Sequence, residues 1–380
     1  MWGKNPVAMS GARNAKYEIP SLNGIRAVSV LIVFASHAGF ERFVPGGLGV
    51  TVFFFLSGFL ITTLLLREFS RNGEIDFVGF YKRRFLRLMP PLLVTLAVAY
   101  GLTLLYILPG HVTLAGLASQ LFYFANYEEI YFGAAQKTPE GTGVLWSLAV
   151  EEHFYMIFPV LLLAALAAHL RNRSLIVVAL AVCAGILLWR IYLVCWVGVS
   201  ETRTYYASDT RLDSIVYGCV LAFAMNGRTD DAANASRLSF RDWALLATAG
   251  LVLLSTLVIR DQRFRETLRY SLQGIALLPI FYLAVMRHRH WLFRVLNSKL
   301  AVRIGIYSYS IYLIHRVIII ALEVQVEQLA GHPLMLAGGS LALSIAFAVM
   351  IDRLVDSRFR NHRTEARRPV ELGTETVTGG

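Results

Sequence analysis

An arginine and a histidine stand eleven residues apart in one apolar run, Arg26 and His37. At roughly 100° per residue this interval is three turns and about 20°, so a helix presents both from one face, roughly 16 Å apart along its axis. Read singly, Arg26 snorkels to a membrane surface and His37 is a hydrogen-bonded packing residue. A central arginine in hydrocarbon costs about 2.5–3.5 kcal/mol on insertion scales, and two ionisable groups on one face favour a protein-lined cavity. A histidine there suits acyl transfer, because an unperturbed pKa of about 6.5 lets it take a proton from a hydroxyl near neutral pH. A positioned imidazole can alternatively take the acyl group itself.

Two further clusters carry chemistry. In Tyr81-Lys82-Arg83-Arg84-Phe85-Leu86-Arg87, a helix sets Arg83 and Arg87 four apart and Arg84 and Arg87 three apart. That spacing predicts one guanidinium face able to grip phosphates bidentately, although positive-inside charge alone also accounts for the cluster. The second is Trp146-Ser147-Leu148-Ala149-Val150-Glu151-Glu152-His153-Phe154-Tyr155, which opens another apolar run. Helix dipoles favour acids near an N-terminus, and an aromatic belt accounts for Trp146 and Tyr155. Neither calls for Glu151, Glu152 and His153 together one turn into a membrane. Weaker signals are Arg211 and Asp213 opening one run and His315 inside another, where packing serves equally well. Gly46-Gly47-Leu48-Gly49 reads as a tight turn between two helices, and Ser57 lacks the G-x-S-x-G frame of a hydrolase nucleophile.

Positioning these groups takes a bilayer. Hydrophobic residues make up 56% of the 380 and charged residues 16%, where a soluble domain carries about 25% charged; mean hydropathy is +0.56. The predicted fold class is an all-α, polytopic integral membrane protein with about ten transmembrane helices, each needing roughly 20 residues. The runs are 23–40, 48–66, 88–108, 146–168, 174–197, 209–226, 242–259, 270–286, 304–322 and 333–352. The shorter stretch 113–127 is expected to be re-entrant or interfacial, since counting it as a crossing reverses the charge order downstream.

With ten crossings, Arg83 to Arg87, Arg171 to Arg173, Arg287 to Arg303 and Arg353 to Arg368 fall on the cytoplasmic side with both termini. Glu128, Glu129, Glu140, Glu323 and Glu327 fall on the other. One loop dissents: Arg260, Arg263, Arg265 and Arg269 outnumber Asp261 and Glu266 on the expected outer side. Residues 1–22 read as a cytoplasmic leader, 23–353 as one membrane domain, and 354–380 as a basic then polar tail without fixed structure. The net charge of +11 clusters between apolar runs, which is a topology signal and no footprint of nucleic acid. Cys183, Cys195 and Cys219 form no C-x-x-C pair and read as buried filler, so neither disulfides nor a metal site are expected.

These motifs resemble the acyltransferase-3 family of membrane O-acyltransferases, whose members acylate bacterial surface polysaccharides, lipopolysaccharide O-antigens, peptidoglycan, nodulation factors and some macrolides. The resemblance runs from Leu22 to about Arg353. It rests on Arg26 with His37, Gly46-Gly47-Leu48-Gly49-Val50 with Phe53-Phe54-Phe55-Leu56-Ser57-Gly58, Arg83-Arg84-Phe85-Leu86-Arg87, and Trp146 to Tyr155. His153 stands where the family more often has glutamine. By this likeness His37 corresponds to the family's essential histidine and Arg26 to its paired arginine. Arg84 and Arg87 match its cytoplasmic arginine motif, and Glu151 the glutamate of S-L-x-x-E-x-x-F-Y.

The implied roles are catalysis for His37, Arg26 and Glu151, acyl-CoA binding for Arg83, Arg84 and Arg87, and acceptor binding or orientation for Trp146, Ser147, Glu152 and Tyr155. Asp213 and His315 are further candidates. Glu151 is expected to orient His37 or an acceptor hydroxyl. The implied donor substrate is acyl-CoA, most often acetyl-CoA, with no permanently bound cofactor. The implied acceptor is an extracytoplasmic carbohydrate or glycolipid such as exopolysaccharide or O-antigen, the location the bacterial inner membrane, and a further partner the polysaccharide assembly machinery. Some members carry an extra esterase-like domain, for which this chain is expected to end too soon.

The alternative is a transporter or permease in which Arg26, His37 and His315 form an ion pathway. The lack of paired interrupted helices and the arginine face count against it, and intact Arg26 and His37 count against a silent scaffold. The H-x-x-x-x-D motif of glycerolipid acyltransferases is absent, because no histidine here has an aspartate five positions later.

Overall fold

The computed structural model describes residues 19–133, 137–227, 237–326 and 331–356. Most of the expected leader, Glu327 and the tail beyond 356 lie outside these residues. The described helices are α1 (Leu22–Ala35), α2 (Gly46–Asn72), α3 (Phe77–Leu104), α4 (Leu114–Leu121), α5 (Ala125–Phe132), α6 (Trp146–Ala167), α7 (Asn172–Tyr192) and α8 (Glu201–Tyr206). They continue with α9 (Ser208–Ala224), α10 (Phe240–Val258), α11 (Gln262–Glu266), α12 (Leu268–Met286), α13 (Trp291–Arg294), α14 (Lys299–Gln325) and α15 (Pro333–Ile351). No strand occurs among the described residues, as an all-α fold requires.

All ten predicted runs are helical, but nine helices among the described residues are long and apolar enough to cross a membrane. The exception is α9, with 17 residues and Asp209, Arg211 and Asp213 at its start. Its surroundings explain this composition. It packs against α2, α7, α12 and α6, so protein rather than lipid surrounds it and polar groups there can find partners. The stretch 113–127 forms α4 and the start of α5, helices of eight residues each. Each is about 12 Å long and too short to cross. The outward faces of α7 and α10 expose Val177, Val178, Leu188, Leu245, Leu251 and Leu254, as contact with lipid demands. Cys195 is exposed as well, which corrects its reading as buried filler; Cys183 and Cys219 are buried.

Two helix pairs build the core, α2 with α9 and α1 with α14. Both rely on glycine to let backbones touch. A Cβ at Gly58 would strike the Ile215 carbonyl, one at Gly218 the Phe55 carbonyl, and one at Gly305 the Asn23 carbonyl. Small residues at such contacts give membrane helices the dispersion and close approach that hydrophobicity cannot supply in lipid.

A buried ion pair ties α7 to α9 and α12. The Arg190 guanidinium donates to both carboxylate oxygens of Asp213 at 3.0 and 2.9 Å, to the Thr267 carbonyl at 2.9 Å, to the Thr210 carbonyl at 2.5 Å and to Ser271 Oγ at 2.7 Å. Ser271 Oγ–H and the Ser214 amide donate to the same carboxylate. Both charged side chains are fully buried. Asp213 thus lies in a strut whose acceptor positions are occupied, and its partner Arg190 carried no signal in the sequence beyond a lone charge inside the run 174–197.

Two outcomes follow for stability. Gly58→Val or Gly218→Val pushes backbones apart and destabilises by about 1–3 kcal/mol or more, read as a lower thermal-unfolding midpoint of the detergent-solubilised protein. Gly250→Ala in α10, where a Cβ meets nothing within 4 Å, leaves that midpoint unchanged or raises it slightly, since alanine suits a helix interior better than glycine. Arg190→Met strands Asp213 and costs about 3–5 kcal/mol; adding Asp213→Leu recovers much of the loss in the same measurement.

Candidate active site

Helix α1 ends at Ala35, and its axis runs on through a short turn that carries His37. Ser36–Phe40 forms a π turn in which Gly39 takes φ +94°, a conformation that glycine alone adopts without strain. The His37 carbonyl, freed from the helix ladder, accepts from Arg316 Nη1 of α14 at 3.0 Å. Eleven residues earlier, Arg26 donates through Nε to Ser308 Oγ, also of α14, at 3.1 Å. Arg26 and His37 therefore share the face of α1 that lies along α14, as their spacing predicts.

The partner of the His37 ring is His315. Nδ1 of His37 and Nε2 of His315 are 2.9 Å apart, and the rings stack with centroids 5.2 Å apart. Glu151, expected to orient either His37 or an acceptor hydroxyl, is not the partner of the His37 ring. His315 is fully buried, and its Nδ1 lies 2.7 Å from the Tyr312 carbonyl. A carbonyl only accepts, so His315 Nδ1 carries hydrogen, and in the neutral ring Nε2 is then the acceptor. His37 must donate to it from Nδ1, which leaves a lone pair on His37 Nε2. One backbone carbonyl thereby sets the tautomer of two rings. Tyr312 is itself held: its hydroxyl lies 2.7 Å from Ser147 Oγ and 3.1 Å from the Val144 carbonyl, where α6 begins. Ser147 thus reaches the histidines through the turn of α14.

A second polar group joins α2, α3 and α6. Glu151 accepts from Ser57 Oγ at 3.0 Å and from the Tyr155 hydroxyl at 3.3 Å. Glu152 accepts from Arg84 Nε at 3.1 Å, and the Arg84 guanidinium lies 3.0 Å from the centre of the Tyr155 ring. The arginine cluster and the Glu151-Glu152 pair, expected on opposite sides of the membrane, meet inside the bundle. Arg84 lies two turns into α3 and Glu152 nearly two turns into α6, and their side chains pair there.

The three arginines of α3 do not form one face. Arg84 turns to α6, whereas Arg83 is half-exposed and sits 3.6 Å from both Glu68 and Asp76 near the α2–α3 turn. Arg87 is exposed.

Trp146 is buried among Phe54, Tyr205 and Tyr206. The same aromatic group encloses Arg211, which is fully buried, 3.8 Å above the Tyr270 ring, and bonded to Thr51 Oγ1 at 3.3 Å. Its Nε and Nη1 have no hydrogen-bond partner among the described residues. The Nδ1 of His153 lies 2.7 Å from Ser208 Oγ. Asp213 belongs to the strut with Arg190 and contacts neither histidine. The pairing of His315 with His37 was open to sequence reasoning only as two histidines in separate apolar runs.

An acyltransferase-domain family model, that of acyltransferase 3, matches residues 19–353. The peptidoglycan O-acetyltransferase OatA of Listeria monocytogenes is 31% identical over 318 residues, which cover 81% of this chain and 50% of the relative. The O-acetyltransferase OatA of Staphylococcus aureus is 32% identical over 313 residues, covering 80% and 51%. The chain thus spans about half the length of these relatives. No solved structure matches it. With a family match across nearly all the described helices and nine candidate crossings, the chain belongs to the acyltransferase-3 family of membrane acyltransferases.

Proposed function

We propose that this protein moves an acyl group, acetyl foremost, from acyl-CoA to a hydroxyl of an extracytoplasmic carbohydrate. The observation that carries the reading is the Tyr312 carbonyl–His315–His37 chain, which leaves a basic nitrogen on His37 with no partner among the described residues. In the proposed reaction His37 Nε2 takes the proton of the acceptor hydroxyl as its oxygen attacks the thioester carbonyl. The carbon–sulfur bond then breaks, and the CoA thiolate leaves with that proton. While His37 is cationic, its Nδ1–H donates to His315, a bond stronger for the charge. Arg26, roughly 16 Å from His37 along α1 and anchored through Nε, keeps both Nη groups to hold the donor's arm in the passage that leads to His37.

The donor phosphates are assigned to the exposed Arg83 and Arg87 at the start of α3. Arg84 is assigned to holding Glu152 and Tyr155 of α6, since its guanidinium is largely buried there. The relatives named as O-acetyltransferases, one of them of peptidoglycan, support acetyl as the group and a wall or surface glycan as the acceptor. The bacterial inner membrane, with both termini cytoplasmic, is the location this reading requires.

Mass spectrometry of envelope glycans from cells with and without the protein tests the reaction: an ester-linked mass difference is expected, and uptake of a solute without CoA consumption sinks the reading. With purified protein, His37→Ala lowers turnover about 10²- to 10⁴-fold, the usual contribution of a general base. His315→Leu loses at least about tenfold, and His315→Gln, whose amide oxygen can still accept from His37, retains more than the leucine variant. Equal activity of the Gln and Leu variants excludes His315 as the positioning partner.

A further inference from the structure

Turns at the His37 end of the bundle enclose a cavity of about 300 Å³ that the reaction above leaves unused. Its walls come from the α1–α2 turn, from α8 and from the segment joining α10 to α12. They set Arg42, Arg260, Arg265 and Arg269 against Glu41 and Glu201. Arg265 approaches Glu201 only to 3.8 Å, and Arg269 donates to the Tyr270 hydroxyl at 2.8 Å. Arg42 and Arg260 are exposed and have no ion-pair partner among the described residues. Three of these four arginines come from the loop whose charge runs against the positive-inside bias, so insertion does not account for them.

The cavity also adjoins the reacting end of α1. Ser36, the residue before His37, lines it. Gly46 and Gly47 bring the opposite turn close: a Cβ on Gly46 would lie 2.6 Å from Ser36 Oγ, and one on Gly47 would lie 3.2 Å from the Tyr205 hydroxyl. Tyr205 and Tyr270 form the inner wall. Behind them lies Arg211, its guanidinium 3.8 Å above the Tyr270 ring and 5.2 Å from that of Tyr205, adding positive charge that no carboxylate contacts. Guanidinium forks match carboxylate and phosphate oxygens. Tyrosine adds an apolar face with a polar tip, as a pyranose ring does.

We propose that this cavity docks the acceptor glycan by an anionic group, a sugar carboxylate or a phosphate ester, beside the hydroxyl presented to His37. The role as an acceptor site rests on the acyl-transfer reading; the anion binding does not.

Binding is measured on the full chain in nanodiscs of neutral lipid, with a uronic-acid oligosaccharide, its carboxyl-reduced counterpart, and glucose 6-phosphate beside glucose. At least one anionic probe is expected to bind about tenfold or more tighter than its neutral partner, and the preferred one names the anion. Arg42→Gln with Arg260→Gln, both exposed and unpaired, removes about tenfold or more of that advantage while neutral binding and the unfolding midpoint stay unchanged. Added salt weakens the anionic probe selectively, because partly exposed charges are screened. Equal binding of anionic and neutral probes, or no change in the variant, overturns the proposal. So does competition by anionic lipid vesicles without any discrimination among the sugars, which assigns the arginines to lipid headgroups. Since binding is read without turnover, a protein that binds these probes but transfers no acyl group overturns the catalytic reading alone.

Discussion

The contact between two imidazole nitrogens 2.9 Å apart exists only because α1 lies directly along α14. The seam is set by backbone meeting backbone at Gly305 and Asn23 near one end, continues through Arg26 and Ser308, and closes with Arg316 on the His37 carbonyl. Each contact fixes the axial register of the two helices. A shift of one residue would rotate His315 away by about 100° and part its Nε2 from His37, leaving only the bond from its Nδ1 to the Tyr312 carbonyl of the same helix. Register along this seam therefore determines the tautomer of His37, and with it which nitrogen can take a proton.

The other polar groups follow from the same rule, that a charge withdrawn from water must find partners in the protein. Arg190 and Asp213 satisfy it completely and hold three helices together. Arg84 and Glu152 satisfy it pairwise, with Tyr155 beneath the guanidinium. Arg26 and His37 satisfy it only in part, each held through one nitrogen and half-buried. Completeness of pairing separates the strut from the groups left able to act on a substrate.

Charge placement along the chain divides in a similar way. Most arginines cluster between apolar runs in the order the positive-inside bias expects, a bias that does not by itself require a ligand. The segment from Arg260 to Arg269 does not fit that bias, and it folds against the α1–α2 turn beside His37 instead of dispersing into solvent. An exception to topology thus coincides with a cavity next to the candidate base.

Composition and apolar run length were enough to establish a helical membrane protein, since a bilayer imposes both on any chain that crosses it. The spacing of Arg26 and His37 also determined that they share a face, because helical periodicity is a local property. Which face met which was beyond it. The pairing of His37 with His315, 278 positions away, and of Glu152 with Arg84 depends on how helices distant in sequence pack. The same holds for α9, whose shortness and charge make sense only once α2, α6, α7 and α12 replace lipid around it. Local periodicity tells where a side chain points along its own helix; the identity of the neighbour is set by the close packing of helices that no single segment encodes.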